Sequence, residues 1–299
     1  VHGILLLDKP LHMSSAAAVA RAKYLFRARK AGHTGSLDPL ATGMLPICFG
    51  EATKFGAQLL DADKTYRVCL RLGERTPSAD RESAVVERRE LPAFSQDQLV
   101  EALAAFPRLY EQVPPMHSAL KQGGKPLYEY ARAGITRERA ARTITIHEMT
   151  FIDWQRPDLS FDVRCTKGAY IRVLAEDLAA QLGTIGYLEA LRRLSVAPFG
   201  AAPLWTFAAL EALPAQGLRE LLLPVDAALG AWRRLDLSAE GVNAIRQGRS
   251  VELPGRPGDE QPGTVRIYAA GLGFLGLGEI EPAGRLVPRR LIAAECDEA

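Results

Sequence analysis

The chain opens on apolar runs separated by polar breaks. "HGILLLDKP" is a continuous apolar run closed by charge and proline, the pattern of a short buried strand that ends in a turn. Ser14 and Ser15 then stand where a helix cap belongs, and Ala, Val, Leu and Phe recur at helical spacing through "SAAAVARAKYLFRA". "KTYRVCLRLGERT" alternates apolar and polar positions, as a half-buried strand does. "SQDQLVEALAAF" predicts a capped amphipathic helix. "ARTITIHEMTFIDWQ" and "DLSFDVRCTKGAYIRVLAEDLAAQLG" predict two more strands, the second running into a helix that ends at Gly183. These elements predict an α+β domain on a mixed, largely antiparallel sheet flanked by helices.

The pattern changes near Leu235. The glycine-rich, strand-like "GTVRIYAAGLGFLGLGEIEPAGRLVPRRLI" predicts a small β-rich domain over 235–299, following a larger one over 1–234. No internal repeat or low-complexity tract stands out. No apolar run is long enough to span a membrane, and the first residues do not resemble a cleavable signal, so a cytoplasmic location is expected. Cys48, Cys69, Cys165 and Cys296 stand far apart with no metal-ligand spacing; they are expected to be buried thiols, with Cys296 a loose tail thiol and no metal site.

Net charge is only +2 (37 basic minus 35 acidic residues), but its distribution is uneven. "RAKYLFRARK" carries five basic residues and no acid, and Met116 to His147 carries six basic residues, two acids and the interleaved Tyr128 and Tyr130. Taken singly, either run suits a solvated helix face; together they suit a polyanion that also offers flat bases. The loop "GHTGSLDPLATG" places Gly32, Gly35, Gly43 and Pro39 around one carboxylate, Asp38. On spacing alone, such an aspartate is a turn-former or cap.

That loop, extended to "GHTGSLDPLATGMLPICFGEATKF", resembles the signature of the TruB family, the tRNA pseudouridine-55 synthases. The similarity continues in the same order through "LLLDKP", "DKTYRVCLRLGERT", "QVPPMHSALKQGGKPLYEYARAGI", "RCTKGAYIRVLAEDL" and "YLEALRRLSVAPFG", and the C-terminal run resembles a PUA-type RNA-binding module. The resemblance implies isomerisation of one T-loop uridine of tRNA to pseudouridine, without cofactor or metal. Asp38 matches the catalytic aspartate, Tyr66 the active-site tyrosine and Arg172 the arginine that pairs with the acid. The aspartate would act as a nucleophile or by stabilising charge at C1′. Tyr66 would stack on the flipped uracil, and its hydroxyl would take or relay a proton. Tyr170 would share a strand face with Arg172, and Leu191 would lie against the base or in a helix core. His33 would occupy the stack vacated by the flipped base. Asp80, and Lys121 in an RNA-facing insertion of about residues 107–147, complete the implied substrate contacts.

The loop glycines are expected to let the backbone approach RNA closely and to adopt positive φ where needed. The chain departs from the family pattern at His12, where glycine is usual, and at Pro77 and Ser83, which replace an acid and a glycine. The implied partner is the tRNA T arm and elbow, met by a monomer without guide RNA or membrane. Two other readings compete: a non-catalytic RNA-folding protein, which would not need Asp38, Tyr66 and Arg172 together, and a guide-RNA-dependent relative, which generally carries longer basic extensions.

Overall fold

The computed structural model describes residues 1–118, 120–253 and 261–293. Eight strands form one sheet: β1 (Gly3–Lys9), β2 (Ala31–His33), β3 (Ala41–Phe49), β4 (Lys64–Leu72), β5 (Leu109–Gln112), β6 (Arg142–Gln155), β7 (Asp158–Cys165) and β8 (Gly186–Val196). Across the sheet the order is β1-β3-β8-β4-β7-β6-β5, with β2 paired to β3. All pairings are antiparallel except β3 with β8, so the mixed, largely antiparallel α+β sheet is present.

Helix α1 (Ser15–Leu25) begins with the Ser14 hydroxyl accepting from the Ala17 amide. It stops three residues short of the span its sequence suggests, because Arg27 turns into the left-handed region (φ 48). The short helix α2 (Gly56–Asp61) leads into β4. The "SQDQ" start of α3 (Gln96–Ala104) forms a full capping box between Ser95 and Gln98. The insertion holds a hairpin, Lys121–Gln122 with Lys125–Pro126, and helix α4 (Leu127–Arg132). Helix α5 (Ile171–Gln181) packs on β8 and β4 through Ile171, Leu174, Leu178 and Ala179, all buried.

Two sequence expectations are corrected. Tyr170 and Arg172 do not lie on a strand: Tyr170 is the extended residue before α5 and Arg172 is in its first turn. Leu191 lies on strand β8, not on a helix. "LEALRR" is rich in helix formers, but burial between β3 and β4 overrides that preference.

A second sheet joins β9 (Arg233–Leu237), β10 (Val251–Glu252), β11 (Gly263–Ala269), β12 (Gly273–Ile280) and β13 (Arg285–Leu291) in the order β9-β11-β12-β13-β10. Helix α6 (Ala239–Arg246) covers it with Val242 and Ile245, giving a separate small core. Phe55, Leu229 and Leu277 are buried together where this unit meets the large sheet, and Lys54 Nζ donates to Leu291 O at 3.0 Å. Cys48 and Cys165 are buried and Cys69 is half-buried; Cys296 lies outside the described residues.

Candidate active site

The Asp38 loop joins β2 to β3 and is held from behind. Ser15 Oγ accepts from the Leu37 amide at 2.8 Å and donates to Leu37 O at 3.0 Å. The His12 amide donates to Pro39 O at 2.8 Å. Two buried cations complete the support. Lys9 Nζ donates to Pro10 O at 2.9 Å and Met13 O at 2.6 Å, and reaches Pro39 O at 3.5 Å. Arg193, 1% exposed, donates to Met44 O at 2.7 Å and Gly35 O at 3.1 Å. Buried carbonyls of an irregular loop need donors. With those demands met by other groups, the Asp38 side chain stays 43% exposed.

Arg172 meets this carboxylate from the buried side, Nε to Oδ2 at 3.0 Å, with its own side chain 5% exposed. Its remaining donors reach Ser78 O at 3.1 Å and His117 O at 2.7 Å. One guanidinium thus ties together the Asp38 loop, the loop before Asp80 and the insertion. Asp80 is a second, more distant anion at 3.7 Å. It is buried and accepts from Ser78 Oγ at 2.5 Å and the Glu82 amide at 3.1 Å.

A pocket of about 280 Å³ opens beside Asp38. Its floor follows from the sheet register. Tyr66 on β4 lies opposite Arg193 on β8, and Leu191 lies opposite Val68, so residues two apart on each strand share the pocket face. Tyr170 and Arg172 form the wall at the start of α5. Burial raises the pKa of the Tyr66 phenol, with Arg193 acting in the opposite direction, so this hydroxyl is a donor at neutral pH rather than a base. Lys64, two residues before Tyr66, also lines the pocket. Its ammonium donates to Leu59 O at 3.2 Å, Leu60 O at 2.7 Å and Ala62 O at 2.5 Å, and burial lowers its pKa to about 8.

Asp38, Tyr66, Tyr170, Arg172 and Leu191 therefore line one cavity. His33, Asp80 and Lys121 do not. His33 is on β2 with its Nδ1 buried and, among the described residues, without a partner; burial and the Arg193 charge lower its pKa and keep the ring neutral. Lys121 is exposed on the insertion hairpin. Lys9, Lys64, Arg193 and Gln112 were not singled out from the sequence. For Lys64 and Arg193 the available signal was their spacing of two from Tyr66 and Leu191 on strand faces.

Gly43 and Gly35 have positive φ, and a Cβ on Gly43 would stand 2.2 Å from Arg193 O. The close approach at Gly43 is to β8, and the positive φ expected of the loop glycines is present at Gly35 and Gly43. Among the described residues no three His, Cys, Asp or Glu side chains are placed to hold a metal ion, and no helix is long and apolar enough to cross a membrane.

Three family models match in succession. "TruB family pseudouridylate synthase (N terminal domain)" matches residues 23–171, "tRNA pseudouridylate synthase B C-terminal domain" 172–230, and "Pseudouridine synthase II TruB, C-terminal" 234–292. A protein of Nitrosococcus oceani named tRNA pseudouridine synthase B is 45% identical over 298 residues, 99% of this chain and 96% of that protein. One of the same name from Aromatoleum aromaticum is 48% identical, covering 98% of this chain and 93% of its own length. The solved "Crystal Structure of a Cbf5-Nop10-Gar1 Complex" contains a chain that shares the fold, with a TM-score of 0.71 at 22% identity over 97% of this chain and 84% of that one. The protein is of the pseudouridylate synthase class. Within that class, the chain belongs to the TruB family.

Proposed function

We propose that this chain converts one uridine of the tRNA T loop, position 55, to pseudouridine, without guide RNA or cofactor. The observation that carries the reading is Asp38: a solvent-facing carboxylate held on one oxygen by a buried arginine, at the mouth of a pocket floored by Tyr66 and Leu191. A pocket of this size suits a single extruded nucleoside. Relatives at 45–48% identity bear the name tRNA pseudouridine synthase B, which supports tRNA as the RNA acted on.

In the reaction the C1′–N1 bond breaks, uracil turns, and a C1′–C5 bond forms. The C5 proton is lost and N1 gains one, so the product is an isomer. The Asp38 carboxylate stabilises positive charge at C1′ as the C1′–N1 bond breaks, takes the C2′ proton to leave a glycal-like intermediate, and returns that proton to C2′ when the C1′–C5 bond forms; Arg172 orients the carboxylate. Tyr66 stacks on the base and donates from its hydroxyl. Arg193, buried under the loop, adds positive potential beneath the ring. His33, kept neutral, offers a flat apolar face to the opened T loop. Lys23, Arg27 and Lys30 are exposed beside Tyr24 (82% exposed) and supply a phosphate-binding surface. The insertion with Lys121 and the second sheet extend the grip toward the elbow, and the enzyme works as a cytoplasmic monomer.

The test is a pseudouridine map of unmodified tRNA incubated with the purified protein alone. Modification restricted to the T-loop uridine is expected. No modification, or modification only when a guide RNA is added, overturns the reading.

A further inference from the structure

Gln112 ends β5, at the start of the insertion, and is 2% exposed. Its side chain makes a paired contact with the backbone of Tyr170. Nε2 donates to Tyr170 O at 2.9 Å, and the Tyr170 amide donates to Oε1 at 2.7 Å. Only one amide orientation satisfies both bonds, so the side chain behaves as a peptide group of an added strand. Tyr170 is the extended residue before α5 (φ −98°, ψ 103°), and its side chain caps no helix amide. Five residues beyond Gln112, His117 O accepts from Arg172 Nη2 at 2.7 Å. One segment of the insertion therefore grips the start of α5 at Tyr170 and at Arg172, the residue that meets Asp38.

We propose that Gln112 is a positioning residue for the reaction: its amide fixes the backbone of Tyr170, and through it the point from which Arg172 meets Asp38. This rests on the reading that Asp38 and Arg172 serve catalysis. A buried amide satisfied in both halves is costly to disturb. Moving the start of α5 displaces the guanidinium while leaving the exposed RNA-binding surfaces untouched. The expected signature is loss in the chemical step with little loss of RNA affinity.

The discriminating variant is Gln112→Glu, which keeps size and shape. Ionised, it accepts from the Tyr170 amide but cannot donate to Tyr170 O; protonated, its O–H donates there and restores both bonds. The charged and titratable groups around it are Tyr170, Arg172 and Asp177 on or beside α5, Arg142 across the ladder, Tyr110 and Glu111 on β5, and Asp38 beyond. The parent and Gln112→Met carry all of them without a charge at position 112, so the Gln112→Glu profile is read against both at each pH. Single-turnover pseudouridine formation and tRNA affinity are measured for the parent, Gln112→Met and Gln112→Glu from pH 5.5 to 8.5. Gln112→Met is expected to lose about 100-fold in rate, the scale of an ångström-level misplacement, with affinity within about threefold, the range left when phosphate contacts are intact. Gln112→Glu should match it at pH 8.5 and regain at least about tenfold, relative to the parent, at pH 5.5, where protonation restores the lost donor. The Nε–H resonance of Arg172, followed without RNA, should shift in Gln112→Met and return toward the parent position in acidified Gln112→Glu.

A folded Gln112→Met protein with the parent's rate and resonance overturns the proposal. So does a Gln112→Glu rate that stays flat relative to the parent. If the parent makes no pseudouridine, the functional reading falls by itself, and the resonance still decides whether Gln112 positions Arg172.

Discussion

Arg193 and Gly43 face each other across the parallel pairing of β3 and β8 so closely that a Cβ on Gly43 would stand 2.2 Å from the Arg193 carbonyl oxygen. Gly43 also has φ +97, which L side chains rarely adopt. Gly43→Ala is therefore expected to cost about 3–5 kcal/mol, combining backbone strain with overpacking. It should also move Arg193 away from the Gly35 carbonyl it supports. Urea denaturation checks the first, and loss of single-turnover activity in the folded fraction checks the second.

Asp38→Asn preserves size but removes the charge that faces the pocket. Turnover should fall below detection while tRNA affinity stays near that of the parent, because phosphate contacts and stacking carry the binding. Arg172→Lys keeps the charge but cannot reach Asp38 Oδ2, Ser78 O and His117 O together, and should destabilise the fold by about 3 kcal/mol. Activity and equilibrium binding are measured on the same tRNA. Equal loss of both in Asp38→Asn would mean that the loop had collapsed.

His12 occupies a left-handed position, φ 61, while its amide holds Pro39 O. A non-glycine residue there costs about 1–2 kcal/mol, and glycine returns about 0.5–1 kcal/mol of that through a looser unfolded chain. His12→Gly should raise stability by about 0.5–1 kcal/mol and leave turnover unchanged. A lowered unfolding midpoint would show that the imidazole makes a compensating contact.

Burial pushes the Cys48 and Cys165 thiols up to about 12. Above about pH 9 the unfolded chain releases these protons while the folded chain keeps them, so the thiols' contribution to stability falls as pH rises toward 12. Lys9 and Lys64, lowered to about 8, act with the opposite sign between pH 8 and their ordinary value of 10.5. They are common to parent and variant. A Cys48→Ala, Cys165→Ala double variant should lose less stability than the parent between pH 8.5 and 10.5 in a urea-midpoint series.

Phe55 is 1% exposed, and its ring packs edge-on against Phe274 of the second sheet at 5.4 Å. Deleting the chain from Leu235 onward uncovers Phe55 and Leu229. The truncated protein should fold around the pocket, bind tRNA more weakly and unfold at lower temperature, since an exposed Phe forfeits about 1.5–3 kcal/mol of burial. Phe55→Gln in that background should reduce its self-association by light scattering. Tight tRNA binding by the folded truncated chain would count against an RNA-binding role for the second sheet.

Local patterns carried much of this structure. The capping box at Ser95, the alternation through Lys64–Leu72 and the apolar run of β1 are short-range signals, and each forms the element it predicts. Asp38, Tyr66 and Arg172 were legible because their flanking residues make recognisable motifs. Strand β3 was harder to read: Pro46 stands inside it, a residue that normally argues against an interior strand.

By itself the sequence determined the α+β class, the family, and the acid, aromatic and cation from which the site is built. Only the tertiary structure decided what those groups face. "LEALRR" favours a helix in isolation, yet becomes a strand between β3 and β4, and that choice aims Leu191 and Arg193 into the pocket. Gln112 and Tyr170 are 58 residues apart, and no local period links them. Lys9, Lys64 and Arg193 were not singled out from the sequence; their role follows only once folding surrounds them with carbonyls that need donors. The physical reason is common to all of these cases: burial and hydrogen-bond demand depend on which distant segments meet, whereas propensity and motif spacing are properties of adjacent residues.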